Sequence, residues 1–579
     1  MSAGSAGAGY DLKVWRVNVR TQSLNREAMP ASWERLGGRG LLARILLDEM
    51  DPACEPLGPG NKLVFAPGLL VGHMLSASDR LSAGAKSPLT GGFRESNCGG
   101  STGLHMTNMG IKALILEDAP AAPGFWILHL GMGGAKWEQA DDLVGLGVYE
   151  AAPKLLARHG AKVAISLIGQ GGEYRLASAG IQNLDKERVP ARINARGGLG
   201  AVMGSKGLKA IVWDDAGGQK PPVADPELFK KTRKAYTQAV LDHPQSHTYR
   251  DYGTAANVLM VDALGGLPTR NFSGGSFEQA EAISGERIRE LMLQRGGESD
   301  PSHACMAGCT IRCSNVYGAE DGTAIVSPLE FETIGLLGPN LGIGDPDVIA
   351  RLNRQINDMG LDTIEVGAAI GVACEAGLMA WGDGDRAMEL LGEIRENTPL
   401  GRILGAGSVV AGRVLGVTRV PAAKGMAMSA YDPRAIKGTG VTFATSTQGG
   451  DHTSGLTLRM KIDHLDPKGQ VEASRLVQIN VAGYDTLGVC LMAGSGYSTA
   501  VGAVRDLLNS RYGWDFGDDA LQVLGRETIR LEREFNRRAG FTKAHDRLPE
   551  FFTREALPPR NAVFDVPEEE MNRIFDDLD

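Results

Sequence analysis

Three cysteines, Cys305, Cys309 and Cys313, fall within nine residues, and a fourth, Cys490, stands far downstream in the segment Asp485-Thr-Leu-Gly-Val-Cys490. The chain has only seven cysteines in 579 residues, so this clustering is the strongest local constraint it carries. Three close thiolates plus one distant thiolate complete the ligand set of an iron–sulfur cluster, which would force the C-terminal third back onto the cysteine segment and make the protein a redox protein. Four thiolates also suit structural zinc, and three buried cysteines can simply pack, so the spacing alone leaves these alternatives open. Residues four apart on an α-helix drift by about 40° per step, which keeps three sulfurs on one face. Gly308 between them suits a loop equally well.

Glycine is the second anomaly. There are 78, many in short blocks: Gly37-Gly-Arg-Gly40, Gly91-Gly92, Gly99-Gly100, Gly197-Gly-Leu-Gly200 and Gly449-Gly450. Glycine lets backbone amides approach a ligand closely, as in phosphate cradles. No block has the form of a Walker loop or of the dinucleotide fingerprint. The expectation is a large ligand with more than one phosphate, against the plainer reading of each block as a tight turn.

At 43% hydrophobic and 22% charged residues, the chain can bury a large core and divide into several domains. A net charge of −9 disfavours nucleic acid as partner. No run reaches the roughly 18 apolar residues of a membrane span. Met1–Tyr10 has neither a basic nor an apolar leader region, and the expected location is cytoplasmic.

Short apolar runs mark strands in the first third: Val14–Val19, Lys62–Phe65, Ala113–Leu116, Phe125–Leu128, Val163–Ile168 and Ala210–Trp213. An echo between Gly38-Arg-Gly-Leu-Leu-Ala-Arg44 and Arg196-Gly-Gly-Leu-Gly-Ala201 hints at two related halves. Asp214–Ala224 reads as a linker, after which helical patterns take over. Asp345 is a predicted N-cap with Pro346 in the first turn; Ile349, Leu352, Ile356 and Met359 share one face, and Gly360 stops the helix. Leu521, Leu524, Leu531 and Phe535 form a similar stripe. The fold class is therefore α+β, with a β-rich domain over 1–213, a helical domain carrying the cysteines over 225–345, and a helical C-terminal region over 346–579.

These segments, in order, resemble the tungsten- or molybdenum-containing aldehyde ferredoxin oxidoreductases. The matches run through Gly37–Arg44, Lys86–Phe93, Ser96–Gly100, Ala195–Lys206, Leu267–Phe272, the cysteine cluster, Glu330–Thr333, Tyr431–Gly438, Gly450–His452 and Asp485–Cys490, covering nearly the whole chain. The resemblance implies that family's fold, with an N-terminal domain of two related sheets followed by two mainly helical domains. It implies a tungsten (or molybdenum) bis-pyranopterin, Mg2+ bridging the pterin phosphates, and one 4Fe-4S cluster held by Cys305, Cys309, Cys313 and Cys490.

Carried over residue by residue, Arg80, Asn97, Cys98, Gly99 and Gly100 match contacts to one pterin, and Ala195, Arg196, Gly197 and Gly198 match contacts to the other. Asp362 and Asp485 match the acceptors of pterin nitrogens, with Lys437, Gly488 and Val489 also at the cofactor. Glu332, with Glu330 as its alternative, and His452 match the groups beside the metal: the glutamate takes a proton, and the histidine polarises a carbonyl. The implied reaction is oxidation of an aldehyde to a carboxylic acid, with electrons leaving to ferredoxin or an iron–sulfur subunit. Alternatives are a low-potential reductase of a carboxylate or aromatic thioester on the same cofactor, and a zinc-clamped scaffolding protein. Two departures stand out: Cys-x3-Cys-x3-Cys has one residue more than the commoner Cys-x2-Cys-x3-Cys, and Cys98 occupies a place where a small residue is common. A homodimer is allowed, but the pair of side chains that bridges subunits through iron in some relatives is not identifiable.

Overall fold

The computed structural model describes residues 10–578; the opening segment read above lies outside it except for Tyr10. Its first third is a duplicated unit. The first half contains β1 (Lys13–Asn18), β2 (Ser23–Ala28), α1 (Gly38–Glu49), β3 (Leu63–Pro67), β4 (Leu81–Lys86), β5 (Phe93–Cys98), α2 (Thr102–Asn108) and β6 (Ile111–Glu117). The second contains β7 (Trp126–Gly131), β8 (Gly134–Gln139), α3 (Val148–His159), β9 (Ala164–Leu167), α4 (Gln170–Glu173), β10 (Ile181–Leu184), β11 (Pro190–Asn194), α5 (Leu199–Ser205) and β12 (Leu208–Asp214).

The sheet orders are β2-β1-β6-β3-β4-β5 and, read from its other edge, β8-β7-β12-β9-β10-β11. Each has one parallel pairing, β1 with β6 and β7 with β12, while the other pairings are antiparallel. The halves therefore repeat strand for strand. The sequence echo, however, joins elements that do not correspond: Gly38–Arg44 opens α1, whose counterpart is α3, whereas Arg196–Ala201 leads into α5, whose counterpart is α2. The structurally equivalent turns are Cys98-Gly-Gly100 before α2 and Arg196-Gly-Gly198 before α5. Trp15, Phe65, Leu128 and Trp213 from the two sheets share one apolar layer, with the Phe65 and Trp213 rings edge to face at 5.8 Å.

After residue 214 the chain is mainly helical, with small sheets the pattern did not predict: β13 (Asp300–His303), β14 (Ser314–Gly318) and β15 (Ala324–Val326), then β16 (Ala422–Ala423) and β17 (Met426–Ala427). The helix Pro346–Asp358 begins as expected, because the Asp345 carboxylate accepts from the amides of Asp347 and Val348; Gly360 follows it at φ 69°. Leu531 and Phe535 of Ala520–Arg538 are fully buried and pack on α1. Among the described residues no single helix is long and apolar enough to cross a membrane.

Two devices bind the helical part to the sheets. Gly68 and Gly488 touch backbone to backbone: a Cβ on Gly68 would lie 2.0 Å from the Gly488 nitrogen. Beside them Arg39 of α1 grips Glu532 with two hydrogen bonds of 2.6 and 2.9 Å and donates to Asp485 at 3.2 Å, all three being buried. Removing one member of such a network leaves a buried charge with too few partners, at a cost of about 3–5 kcal/mol. Glu532→Ala is therefore expected to lower the thermal unfolding midpoint markedly. An unchanged midpoint would show that Asp485 alone satisfies Arg39.

Candidate functional site

Two connected chambers lie between the duplicated domain and the helices. The larger, about 360 Å3, is lined by Arg80, Asn97, Cys98, Gly99 and Asp485 together with Cys305, Cys313 and Cys490. The smaller, about 220 Å3, is lined by Arg94, Gln182, Ala195, Arg196 and Asp362. Glu330, Glu332 and His452 line both. Another recess of about 450 Å3 is a groove along the Ala520–Arg538 helix that contains none of the predicted residues; its Arg537 and Lys543 pair with Glu534 and Asp576.

The shared wall is built from three segments. Glu332 sits in the first turn of the helix Phe331–Leu337, His452 opens a short turn behind Gly449-Gly450, and Tyr431 precedes the helix Lys437–Thr445. The Tyr431 hydroxyl donates to Glu332 Oε1 at 2.7 Å, and His452 Nε2 is 3.3 Å from the same oxygen. His452 Nδ1 bonds Ser429 Oγ at 2.7 Å and lies 3.4 Å from Asp451. Burial alone would lower the basicity of His452; Glu332 and Asp451 outweigh it and hold the imidazole above its usual pKa. Burial pushes the Glu330 carboxyl up, with Arg192 opposing and Glu332 reinforcing. Tyr431 and Arg192 were not singled out from sequence. Tyr431 at least fell within a family-like segment, whereas nothing marked Arg192.

At the Asp485 end, Arg80 holds Asn97 through the Asn97 side-chain and backbone oxygens, and Asn97 Nδ2 donates to Asp485 at 3.0 Å. Burial raises Asp485 to about 6 against the pull of Arg39. Glu95 behind it is raised to about 8 by burial and by Asp485. At the other end Arg196 donates to Asp362 at 3.1 Å and to Asp451 at 3.3 Å, and Arg94 also clamps Asp451. Burial opposes ionisation of Asp451, yet the two guanidiniums hold it well below the usual carboxylate range. Asp362 also caps the helix Thr363–Glu375 through the Ile364 amide. Three chamber-lining residues carry buried polar atoms without a partner: Arg94 Nε, Gln182 Oε1 and Arg192 Nε. Such donors and acceptors fit a polar heterocyclic ligand.

The cysteine segment is a loop between β13 and β14, with Gly308 at φ 76°, which decides between the helix and loop readings. Burial pushes the Cys305 thiol up to about 12, and Cys309 and Cys490 push it the same way; Cys313 is raised by burial and by Cys490, Cys305 and Cys309. Cys490 thus shares a chamber lining with Cys305 and Cys313 and packs in one cluster with Cys309 and Cys313 across a long sequence separation, and all four are free thiols. Cys98 is a buried thiol between Asn183 Nδ2 at 3.3 Å and Asn194 Oδ1 at 3.5 Å.

Six predicted contact residues line neither chamber. Lys437 directs its ammonium to the Leu465 carbonyl at 2.6 Å and to Asp565 at 2.5 Å, because those acceptors close the start of its helix. Gly197 and Gly198 allow close passage of Arg94 and Pro88, and Gly100 does so for the Leu184 carbonyl. Gly488 and Val489 end the helix Gln470–Leu487, with the Val489 amide on the Tyr484 carbonyl at 2.9 Å. These residues shape the frame around the chambers.

Comparison with known proteins gives the same picture. The chain matches the family descriptions "Aldehyde ferredoxin oxidoreductase, N-terminal domain" over residues 14–215 and "Aldehyde ferredoxin oxidoreductase, domains 2 & 3" over residues 231–577. It is 32% identical to a tungsten-containing aldehyde ferredoxin oxidoreductase of Thermococcus kodakarensis, covering 94% of this chain and 91% of that protein, and 31% identical to one of Pyrococcus furiosus with the same coverage. An aliphatic sulfonate oxidoreductase, WOR-like subunit, of Pyrococcus furiosus is 27% identical over 79% of this chain and 76% of that protein. The fold is shared with the active site complex BamBC of benzoyl coenzyme A reductase in complex with 1,5 dienoyl-CoA, at a TM-score of 0.80 and 19% identity, covering 98% of this chain and 93% of that one. By both halves of its sequence and by its architecture, the chain is an oxidoreductase belonging to the aldehyde ferredoxin oxidoreductase family.

Proposed function

We propose that this protein oxidises an aldehyde to a carboxylic acid at the wall shared by the two chambers and passes the electrons through an iron–sulfur cluster to ferredoxin or an iron–sulfur subunit. The observation that carries the reading is the convergence of Glu332, His452 and Tyr431 on one point, where a chamber ending at Asp485 and the cysteines meets a chamber ending at Asp362. A zinc clamp with a scaffolding role accounts for the thiols but leaves this buried, polar, two-chambered cavity without a purpose.

A tungsten or molybdenum bis-pyranopterin, with its Mg2+, would supply the two-electron chemistry. The chain's residues have separate tasks around it. Arg80 and Asn97 at one end and Arg196 at the other offer donors to phosphates, while Asp485 and Asp362 offer acceptors to ring nitrogens. Asp485 keeps acceptor capacity, because Asn97 and Arg39 use one site on each oxygen of a group with about four. Cys305, Cys309, Cys313 and Cys490 would hold the 4Fe-4S cluster, and three of them open directly onto the Asp485 chamber.

Addition of water to an aldehyde carbon releases a proton, and Glu332 is placed to take it, with the Tyr431 hydroxyl fixing the carboxylate. His452, whose protonated form Glu332 and Asp451 favour against the effect of burial, is placed to donate to the carbonyl oxygen as charge builds there. Leu456, Leu458 and Met492 give the larger chamber its apolar lining and help exclude water.

Glu332→Gln is expected to lower kcat about 10²–10⁴-fold with the metal content unchanged; turnover retained in the metal-replete variant removes Glu332 from the mechanism. Because the folded-state pKa of His452 is raised, its protonated form persists above the usual histidine value and is lost as pH rises through the raised one. The alkaline limb of the pH–rate profile should therefore lie above about 6.5 and disappear in His452→Gln. Cys490→Ser should lose the iron that anaerobically purified wild-type protein carries, as read by elemental analysis. Iron at the wild-type ratio in that variant would exclude Cys490 as a ligand.

A further inference from the structure

Outside the chambers, the turn between β10 and β11 brings two carboxylates to the residue that ends β13. Asp185 Oδ1 accepts the amides of Glu187 at 2.9 Å and Val189 at 3.0 Å, which shapes the turn and leaves Oδ2 for another partner. That oxygen lies 3.6 Å from His303 Nε2, and Glu187 Oε2 lies 3.3 Å from the same nitrogen. The three ligand atoms are all within 4.8 Å of one another. His303 is only 6% exposed, yet its Nε2 has no hydrogen-bond partner. An orphaned buried polar atom costs about 1–3 kcal/mol, which asks for something between the imidazole and the carboxylates.

The spacing has a specific meaning. Zinc bonds to imidazole nitrogen and carboxylate oxygen are about 2.0–2.2 Å long, so the edges of a tetrahedral site are about 3.4 Å. The observed separations of 3.3 and 3.6 Å from Nε2 match such edges, and neither carboxylate oxygen makes a hydrogen bond to that nitrogen. The other ring nitrogen, Nδ1, faces Asp300 Oδ2 at 3.6 Å, the arrangement in which a carboxylate behind a ligating histidine orients the ring. Two cations adjoin the cluster: Arg192 is 3.9 Å from Asp185 Oδ2, and Lys186 occupies the other oxygen of Glu187.

We propose that Asp185, Glu187 and His303 form a second metal site, for a divalent cation of borderline softness such as Zn2+, completed by water. One imidazole and two carboxylates favour this class over Mg2+ or Ca2+, which prefer oxygen alone. The site ties the β10–β11 turn to the loop that carries Cys305. The same region is already joined by the Gly100 amide on the Cys305 carbonyl and the Ser101 amide on the Leu184 carbonyl, both at 3.1 Å. The ion would brace the cysteine loop without sharing any of its thiols.

The test uses full-length, iron-loaded protein, stripped with a chelator and given one equivalent of ZnCl2. Wild type should retain one zinc per chain after desalting, with only nitrogen and oxygen neighbours in zinc-edge absorption, and zinc should raise the melting midpoint. Glu187→Gln, at a largely exposed position that leaves the turn intact, should retain at least tenfold less zinc and show no midpoint shift, with iron content unchanged. Asp185→Asn should behave alike where it folds. The proposal is overturned if wild type retains no zinc, if Glu187→Gln retains as much as wild type, if sulfur neighbours appear, or if MgCl2 reproduces the midpoint shift.

Discussion

The chambers depend on buried arginine–carboxylate pairing between the duplicated domain and the helices that follow it. Each half of the duplication sends a side chain from at or just before the Gly-Gly turn that precedes its short helix to one aspartate of the helical part: Asn97, near the end of β5, to Asp485 and Arg196 to Asp362. The two contacts close opposite ends of one cavity. Charges taken this far from water are tolerable only when paired and hydrogen-bonded, and each pair is backed by a further layer, Arg39 with Glu532 at one end and Arg94 with Asp451 at the other. The duplication therefore does more than repeat a fold. It supplies two similar brackets that a single helical region can span, which suits a ligand with two similar halves.

Local features were legible from sequence because their causes are local. The cap of Asp345, the apolar stripe ending at Met359 and the stripe from Leu521 to Phe535 each depend on residues within a few turns, and each appears at the expected place. Cys490 lies about 180 residues from the cysteine segment, yet Cys305, Cys313 and Cys490 line one chamber, a proximity set by the packing of the helical part. The duplication was sensed through the wrong pair of segments: glycine-rich helix starts look alike wherever they occur, and equivalence is carried by strand order, which leaves no short signature.

The contact residues divided along the same line. Arg80, Asn97, Arg196, Asp362 and Asp485 reach the chambers because their side chains are long or sit at element ends facing the gap. Lys437 belongs to the same family-like segment as Tyr431, yet a partner over a hundred residues away, Asp565, takes its ammonium elsewhere. Tyr431 comes to the reactive wall because it meets Glu332, about a hundred residues earlier. Such pairings are properties of the packed chain, and no spacing rule within one segment contains them.

The two ends of the cavity are electrostatically unlike despite their common origin. Arg94 and Arg196 both face Asp451, so that end keeps its carboxylate ionised. At the other end Asp485, Glu95 and Glu532 draw on Arg39, and burial leaves Asp485 at about 6 and Glu95 at about 8. A carboxyl poised near neutrality can change its proton occupancy when charge arrives nearby, whereas one clamped by two guanidiniums cannot. The poised end is also the end onto which Cys305, Cys313 and Cys490 open. The asymmetry thus leaves the Asp485 end responsive to charge nearby, and keeps the Asp451 side fixed as the support of His452.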